Sequence, residues 1–353
     1  MSSNFEYRYV SLTPEHTAVT GLRTYGTHSA TAGAEVFGEV DDESFAHMFD
    51  LLTRSDMTRY GVSKSINGKE YSEGGINLVA QPDDFLGMCL YGLYGDNATA
   101  NSANYVVSSN THTWSEGAGM ILPSFTIKVG REDKEHKYTG MCLSRLSIAA
   151  SVGEYTTISA DFNGKAESSL IALDGGPSMS GQTADGYHFS EGSVRFSADG
   201  TTQTASALIK SFSIEWNTNL NTDDACSIGN TTYTRQPEPQ LREITGSVEF
   251  SRPVITSSDA EPTYGGLVTA DGLLYTGDAA DPAIELKFTN AGGQVFSVHV
   301  AKCRWEAPSM NVSGRDSSTM SVNFVALYDP NLDNMTKTSI TTAVSTIGRY
   351  STI

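Results

Sequence analysis

The side chains that most often carry out chemistry in proteins are scattered along this 353-residue chain and form no recognisable catalytic motif. The seven histidines include no HExxH pair and no other pair at metal-ligand spacing. No GxSxG turn and no phosphate-binding GxxxxGK[ST] loop occurs, and the glycine-rich stretch 175–181 fits neither pattern. The sequence therefore predicts no catalytic, metal or cofactor site, and it argues against an enzyme.

Two acidic segments deserve a separate test for chemistry. Glu132, Asp133 and Glu135 form a candidate acidic turn, and residues 217–224 carry acids and amides that could coordinate calcium. The second segment lacks the glycine and the distal glutamate of an EF-hand loop. Glycosidase catalysis would need two carboxylates facing each other across a cleft, which neighbouring turn residues do not provide. A solvated loop is the favoured interpretation of both segments.

The charge balance excludes one class of function. With 23 basic and 41 acidic residues the net charge is −18, and such a surface repels the phosphate backbone of DNA. A protein that grips DNA is excluded, whereas a protein past which DNA slides without adhering is not. Ordinary solubility, or adaptation to a salty host, explains the acidity equally simply. No run approaches the roughly 20 apolar residues of a membrane-spanning helix, so no membrane partner is expected.

The elements that must position any functional side chain are mainly β-strands, and they occur in a near-repeat. Residues 125–153 and 286–314 align without a gap at an offset of 161, which places Cys142 over Cys303 and Gly153 over Gly314. Each copy reads as an alternating strand, a turn and a second alternating strand. Two unrelated hairpins could align through alternation alone, but the shared cysteine and glycine favour an internal duplication.

A further strand follows each copy and carries a polar face. Ser159, Asp161 and Asn163 alternate with apolar residues in the first, and Ser321 and Asn323 do so in the second. Successive side chains of a strand point to opposite faces, so these five residues are candidates for one exposed polar surface. The alternative is that this face meets bulk water or the other half of the chain.

The coarse organisation is two β units with flanking segments. We expect an N-terminal arm or edge segment at 1–38, a first β domain at 39–175, a second, related β domain at 176–328 and a polar C-terminal arm at 329–353. The glycine- and serine-rich stretch 166–192 sets the boundary. Short helices are predicted over 45–52 and 85–94, and a long polar loop over 97–119. The fold class is therefore mainly β, with two related β-sandwich or barrel units and short flanking helices.

Three segments of the first unit carry a family resemblance. The runs LPSFTI at 122–127, YTGMCLSRLSI at 138–148 and the strand 157–165, which ends in DFNGK, resemble the tail tube proteins of long-tailed phages and related viruses. The resemblance covers about residues 60–166, including the helix ahead of these strands, and continues weakly through the second half. Members of that family have no catalytic residues, so none is carried over.

The resemblance implies an assembly. It suggests six subunits in a ring whose inner wall is a continuous sheet, with rings stacked into a hollow tube around the path of the genome. Partners would be other copies of the chain, other tail proteins and DNA in transient passage, in a virion tail made in the host cytoplasm. Because the chain has two β units, a trimeric ring with pseudo-sixfold walls is the alternative. The five polar strand residues are then candidates for the lumen.

Other interpretations stay open at this point. The same β units could belong to a tail adaptor, decoration or fibre protein, which would form rings that never stack. A tandem carbohydrate-binding module would need exposed aromatic side chains, for which Trp114, Trp216 and Trp305 are the candidates. Trp216 and Trp305 lie within predicted strands, which favours a place in the core.

Overall fold

The computed structural model describes residues 8–15, 25–26, 35–97, 105–108, 110–116, 120–132, 134–173, 185–197, 204–206, 209–251, 282–306, 309–311, 319–330, 332 and 334–341. These residues are mainly β, in several antiparallel sheets, which confirms the predicted fold class. One hydrophobic core runs through both halves of the chain.

The first third contains nine strands and the one α-helix of the described residues. In chain order they are β1 Tyr9–Pro14, β2 Val36–Gly38, β3 Asp42–Glu43, β4 Ala46–Ser55, β5 Val62–Val79, α1 Asp84–Tyr94, β6 Asp96–Asn97, β7 Tyr105–Ser108, β8 Thr111–Ser115 and β9 Met120–Ile121.

The rest of the chain contains sixteen strands and a 3-10 helix at Phe189–Glu191. The first eight of these strands, which end at residue 221, are β10 Phe125–Arg131, β11 Lys134–Ser151, β12 Thr157–Gly164, β13 Ala166–Ala172, β14 Gly192–Ser197, β15 Thr204–Ser206, β16 Ile209–Asn217 and β17 Leu220–Asn221. The remaining strands are β18 Glu238–Pro239, β19 Glu243–Ser251, β20 Ala283–Thr289, β21 Val295–Val300, β22 Cys303–Trp305, β23 Ser309–Asn311, β24 Thr319–Ala326 and β25 Thr336–Thr341.

The long strand β11 joins two parts of the largest sheet. Its first residues pair with β10 and β13, and its last residues pair with β12 and β16. The second part is an antiparallel sheet in the order β4, β5, β12, β11, β16, β19, β24 and finally β22 with β23. The short strand β3 continues the edge formed by β4, since both pair with β5. We call this part the eight-stranded sheet.

The eight-stranded sheet follows from strict alternation in the sequence. In β12, Ile158, Ala160 and Phe162 are at most 2% exposed, and the residues between them are partly exposed. The other inner strands alternate in the same way, so one face of the sheet is apolar and buried while the other is polar. Burying such a face supplies the main driving force for folding.

Helix α1 packs beneath this apolar face. All its residues except the first are buried, as expected for a helix that is apolar all round. Asp83 caps the N-terminus by accepting a 2.8 Å hydrogen bond from the amide of Leu86, and Gly95 ends the helix at a φ of 67°. The helix predicted over 85–94 is thus confirmed.

The buried cap makes stability depend on pH. Burial raises the pKa of Asp83 to about 7 from its ordinary value of 3.8, despite the hydrogen bond from Leu86, which lowers it. Between these two pH values the folded state holds a proton that the unfolded chain has released, so stability falls as pH rises. Asp83→Asn keeps the cap and removes this loss. At pH 8 we expect it to raise the free energy of unfolding by on the order of 2 kcal/mol.

Urea unfolding at several pH values measures this effect. The gain from Asp83→Asn should disappear near pH 3, below the ordinary pKa of 3.8, where the wild-type carboxyl is mostly protonated in both states. Glu132→Gln, at an exposed turn, is the matched control and should give no such pH-dependent difference. A gain that stays constant between pH 4 and pH 8 would show that ionisation of Asp83 does not cause it.

A second sheet closes the core on the far side of the helix. Its order is β15, β14, β20, β21, β25, β8, β7, so five strands of the second half of the chain are joined by two strands of the first half. Thr336 of β25 links three elements: its hydroxyl accepts a 3.0 Å hydrogen bond from the indole of Trp216 and lies 3.1 Å from the hydroxyl of Tyr94. All three side chains are fully buried.

Three predicted elements differ from the structure. Residues 45–52, predicted as a helix, lie at the edge of the eight-stranded sheet, because pairing with β5 outweighs the helical spacing of their apolar residues. The predicted loop 97–119 includes the hairpin of β7 and β8. The predicted C-terminal arm contains β25, an inner strand whose Thr336, Thr338 and Ile340 are fully buried.

The sequence also predicts an N-terminal arm or edge segment, a domain boundary and an internal duplication. Of the predicted arm or edge segment 1–38, β1 is buried between β2 and β10, and β2 forms the edge. The boundary predicted between residues 175 and 176 lies outside the described residues. The internal duplication also stays a prediction, although Phe162 lies opposite Gly74 in β5 as Phe324 lies opposite Gly246 in β19.

Candidate functional site

The outer face of the eight-stranded sheet is a wide polar surface built by regular structure. Its side chains are all at least partly exposed. We define the polar face by these residues: Glu73, Asn77, Arg145, Ser147, Ser159, Asp161, Asn163, Ser211, Ser213, Glu215, Asn217, Glu243, Thr245, Ser247, Glu249, Ser321 and Asn323.

Cross-strand register lines these residues up in rows. Ser159 lies opposite Asn77 on one side and Ser147 on the other, and the row continues through Glu215 to Thr245. Rows of buried apolar residues alternate with the polar rows. In the centre, the hydroxyls of Ser213 and Ser247 lie 2.8 Å apart across β16 and β19. The polar face is therefore continuous across both halves of the chain.

Small hydroxyl and amide side chains dominate the polar face, and its charges are mostly negative. Its described carboxylates are Glu73, Asp161, Glu215, Glu243 and Glu249, joined at the rim by Glu306, whose carboxylate accepts a 3.1 Å hydrogen bond from Asn323. Arg145 is the one cation of the polar face as defined, and Lys210 reaches it from a bulge in β16.

Both cations are paired with carboxylates. Arg145 contacts Asp161 at 2.7 Å and Glu215 at 3.6 Å, and the Lys210 ammonium lies 3.4 Å from Glu249. Hydrogen bonding to Asp161, followed by its charge, raises the pKa of Arg145 above the ordinary value. These pairs are exposed and contribute little to stability. Their electrostatic effect is to neutralise the positive charges of Arg145 and Lys210.

The polar face is shallow and open rather than cleft-like. One open depression of about 460 Å³ lies over β11, β16, β19 and β24 and is lined by Ser147, Glu215, Ser247 and Asn323 among others. Another, of about 680 Å³, is lined by Glu73, Asp161 and Asn163 among others. A substrate site would enclose most of a ligand and place a few polar groups against it. This surface is better suited to a large, weakly interacting neighbour.

The structure places all five polar strand residues of the sequence prediction on the polar face. Ser159, Asp161 and Asn163 lie on β12, and Ser321 and Asn323 lie on β24. Strands β11, β16 and β19 lie between β12 and β24 in the sheet. Sequence reasoning missed the charged members on β16 and β19, including Glu215 and Glu249. The pattern that could have revealed them is the alternation of buried and exposed positions, which is as regular in β16 and β19 as in β12.

The predicted acidic turn is not a single exposed group. Glu132 is exposed in the turn between β10 and β11, with a φ of 52°. Asp133 lies outside the described residues. Glu135 belongs to β11 rather than to the turn, is 1% exposed and accepts a hydrogen bond from the Tyr9 hydroxyl. Its strand position points it into the core, which corrects the prediction for this residue.

The other candidate sites gain no support from the geometry. In residues 217–224 the amide of Asn221 donates a 2.7 Å hydrogen bond to Asp224, so the loop's polar groups satisfy one another. Across the described ranges, no group of three or more His, Cys, Asp or Glu residues is placed to hold a metal ion. Trp114 and Trp216 are fully buried, which removes two of the three aromatics that a carbohydrate module would expose.

No helix in the described part of the chain is both long and apolar enough to cross a membrane.

Taken together, these features define a class of protein. An antiparallel β protein with a wide polar sheet face suits a structural role next to large neighbours. The chain matches the family model described as phage tail tube protein over residues 18–326, and it belongs to that family. No curated protein matches the chain.

Proposed function

We propose that this chain assembles with copies of itself into rings that stack into the tube of a phage tail, with the polar face lining the lumen. The proposal extends the family membership, and it rests on one observation: the eight-stranded sheet has one buried apolar face and one continuous, net acidic polar face. The chain would be made in the host cytoplasm and would contact other tail proteins in the virion.

The sheet supports this role through its shape. Its apolar face is covered by α1 and the second sheet, which leaves the polar face and the two outer strands for contacts with other molecules. Exposed sheet edges pair readily with other strands, and a closed ring satisfies them without open-ended aggregation. We further propose that the two β units, 39–175 and 176–328, contribute side by side to one wall.

The composition of the polar face supports passage of DNA without adhesion. Protein–DNA affinity depends mainly on Lys and Arg neutralising phosphates. Here Arg145 and Lys210 already face carboxylates at 2.7 Å and 3.4 Å, so they offer phosphate no free counter-charge. Serine, threonine and asparagine keep the remaining surface hydrated and smooth.

Electron microscopy of the purified chain tests the proposal. We expect rings with a central hole that stack into tubes as the protein concentration increases. Rings that never stack, at any concentration or in the presence of other tail proteins, would instead indicate an adaptor or decoration protein. Particles that remain monomeric at high concentration would contradict the proposal altogether.

A further inference from the structure

The sequence contains two Asn-Gly pairs, and a lysine follows each of them: Asn67-Gly68-Lys69 and Asn163-Gly164-Lys165. In such a pair the backbone nitrogen of the glycine can attack the asparagine side-chain amide, because glycine has no Cβ atom to obstruct the approach and its backbone is unusually free to rotate. The two sites therefore have the same local chemistry. A difference in their reactivity must come from the structure around them.

The structure leaves Asn67 open to this reaction. Its side chain is exposed in the hairpin of β4 and β5, in a part of β5 that pairs with β4 alone among the described strands. A β-bulge follows directly, in which Gly68 and Lys69 together face the single residue Asp50 and have no partner in the described register. Because a bulge interrupts the ladder, the backbone of Gly68 can move toward the Asn67 side chain without unfolding the sheet.

The structure protects Asn163. This residue belongs to the inner strand β12, where it lies opposite Glu73 on one side and Cys142 on the other. The Tyr233 hydroxyl donates a 3.0 Å hydrogen bond to its side-chain oxygen, and Gly164 is buried. Attack on this amide would first have to break that hydrogen bond and the pairing of β12 with its neighbours.

We propose that Asn67 is a site of spontaneous deamidation in the folded chain and that Asn163 is not. The Gly68 nitrogen loses its proton and bonds to the side-chain carbonyl carbon of Asn67. The carbon–nitrogen bond of the side-chain amide breaks, and ammonia leaves with that proton. Water then opens the cyclic imide, at the side-chain carbonyl to give aspartate or at the backbone carbonyl to give isoaspartate. The net reaction consumes water, releases ammonia and needs no other reactant.

Both products change the hairpin. Each adds a negative charge at the bulge that already faces Asp50, and isoaspartate also lengthens the main chain, which disturbs the register of β5 with Leu51. The same hairpin exposes the apolar side chains of Phe49 and Leu52, which are 53% and 58% exposed and suit a contact with another subunit. Resting on the proposed function, the reaction limits the time for which a free subunit can still assemble.

Peptide mass spectrometry of the purified chain measures the reaction. The folded protein is held in mildly alkaline buffer, and trypsin then releases residues 65–69 and 146–165 as separate peptides. Relative to a sample taken at the start, the Asn67 peptide should gain the mass of an amide-to-acid exchange at least about tenfold faster than the Asn163 peptide, because only Asn163 must first lose hydrogen bonds. Labelling with an isoaspartyl methyltransferase counts the isoaspartate separately.

The same measurement in concentrated urea removes the structural difference, so the two Asn-Gly-Lys sites should then react at similar rates. Tyr233→Phe is the matched variant for the folded chain. Without the hydroxyl, the rate at Asn163 should rise by up to about tenfold, and the rate at Asn67 should not change. Equal rates at the two sites of the folded wild-type chain would overturn the inference. So would a folded chain in which Asn67 does not react although both sites react in urea.

Fresh and aged chains are compared to test the effect on assembly. Aged wild-type chains should form fewer tubes than fresh ones. Asn67→Gln keeps an amide but moves it farther from the Gly68 nitrogen, so its aged chains should assemble as well as its fresh ones. Undiminished assembly of wild-type chains that are measurably deamidated would contradict the limited lifetime. Fresh chains that form no tube would overturn the proposed function and leave the modification of Asn67 standing.

Discussion

A chain carrying His47→Pro is expected to fold normally and to form no rings. Hydrogen bonds from β4 to β5 alternate along the strand, and the amide of Ser44 points inward to the carbonyl of Gly75. The amide of His47 therefore points outward, toward the proposed neighbour. Proline at this position leaves the pairing with β5 intact but removes a donor from the contact with that neighbour, at a cost of about 1–3 kcal/mol per contact.

Size-exclusion chromatography measures ring formation and circular dichroism measures folding, so together they separate a loss of assembly from a loss of structure. The proline variant should elute as a monomer with an unchanged β spectrum and thermal unfolding transition. His47→Ala removes the side chain and keeps the amide, so it should form rings as the wild type does. Normal rings from His47→Pro would show that β4 does not pair with a neighbour, whereas loss of rings in His47→Ala would indicate a role of the imidazole.

Reversing the charge of the polar face should turn the proposed channel into one that retains DNA. The triple variant Glu215→Lys, Glu249→Lys, Glu306→Lys introduces three bases. Glu215 and Glu306 line the depression over β11, β16, β19 and β24, and Glu249 accepts a hydrogen bond from Ser211 on the same face. Each phosphate neutralised by a lysine releases counterions and strengthens binding. Assembled tubes of the variant should bind duplex DNA, and the affinity should fall steeply with salt, with a log–log slope of about −0.9 per phosphate contacted.

A control with the same change in net charge isolates the effect of position. Glu132, Glu154 and Glu238 are exposed and lie outside the polar face, so lysines there add equal charge elsewhere. Fluorescence anisotropy of labelled DNA against assembled tubes should show much tighter binding for the polar-face variant than for this control. Equal binding by the two variants would mean that the polar face does not line the path of the DNA.

The sequence predicted those strands in which polar and apolar residues alternate within the strand itself. Ser159, Asp161 and Asn163 alternate with buried apolar residues, and alternation of this kind has no helical interpretation. The apolar spacing over 45–52 fits a helix equally well, and only pairing with β5, a contact between distant residues, makes it extended. The same limit applies to β25. Its threonines have the composition of a polar tail, and only the pairing with β21 and β8 makes it an inner strand.

Part of the candidate site could be predicted from the sequence for the same reason. Each strand's polar side can be read from its own residues, whereas the lateral order of strands cannot, because it depends on which distant segments pair. The pairing of β11 with β16 brings Glu215 beside Arg145, and no local pattern reports that contact. The sequence therefore predicted members of the polar face but not its extent or its charge pairs.

The position of β25 has a consequence for the timing of synthesis. Residues 336–341 are translated after every other described strand, yet they lie in the middle of the second sheet, between β21 and the early strand β8. Through Thr336 they also touch Trp216 and Tyr94 in the core. Folding of this core must wait until β25 has been translated, and a product terminated before β25 lacks an inner strand of the second sheet. In the proposed tube, chains that lack β25 would be kept out of assembly, which would receive only subunits with a complete core.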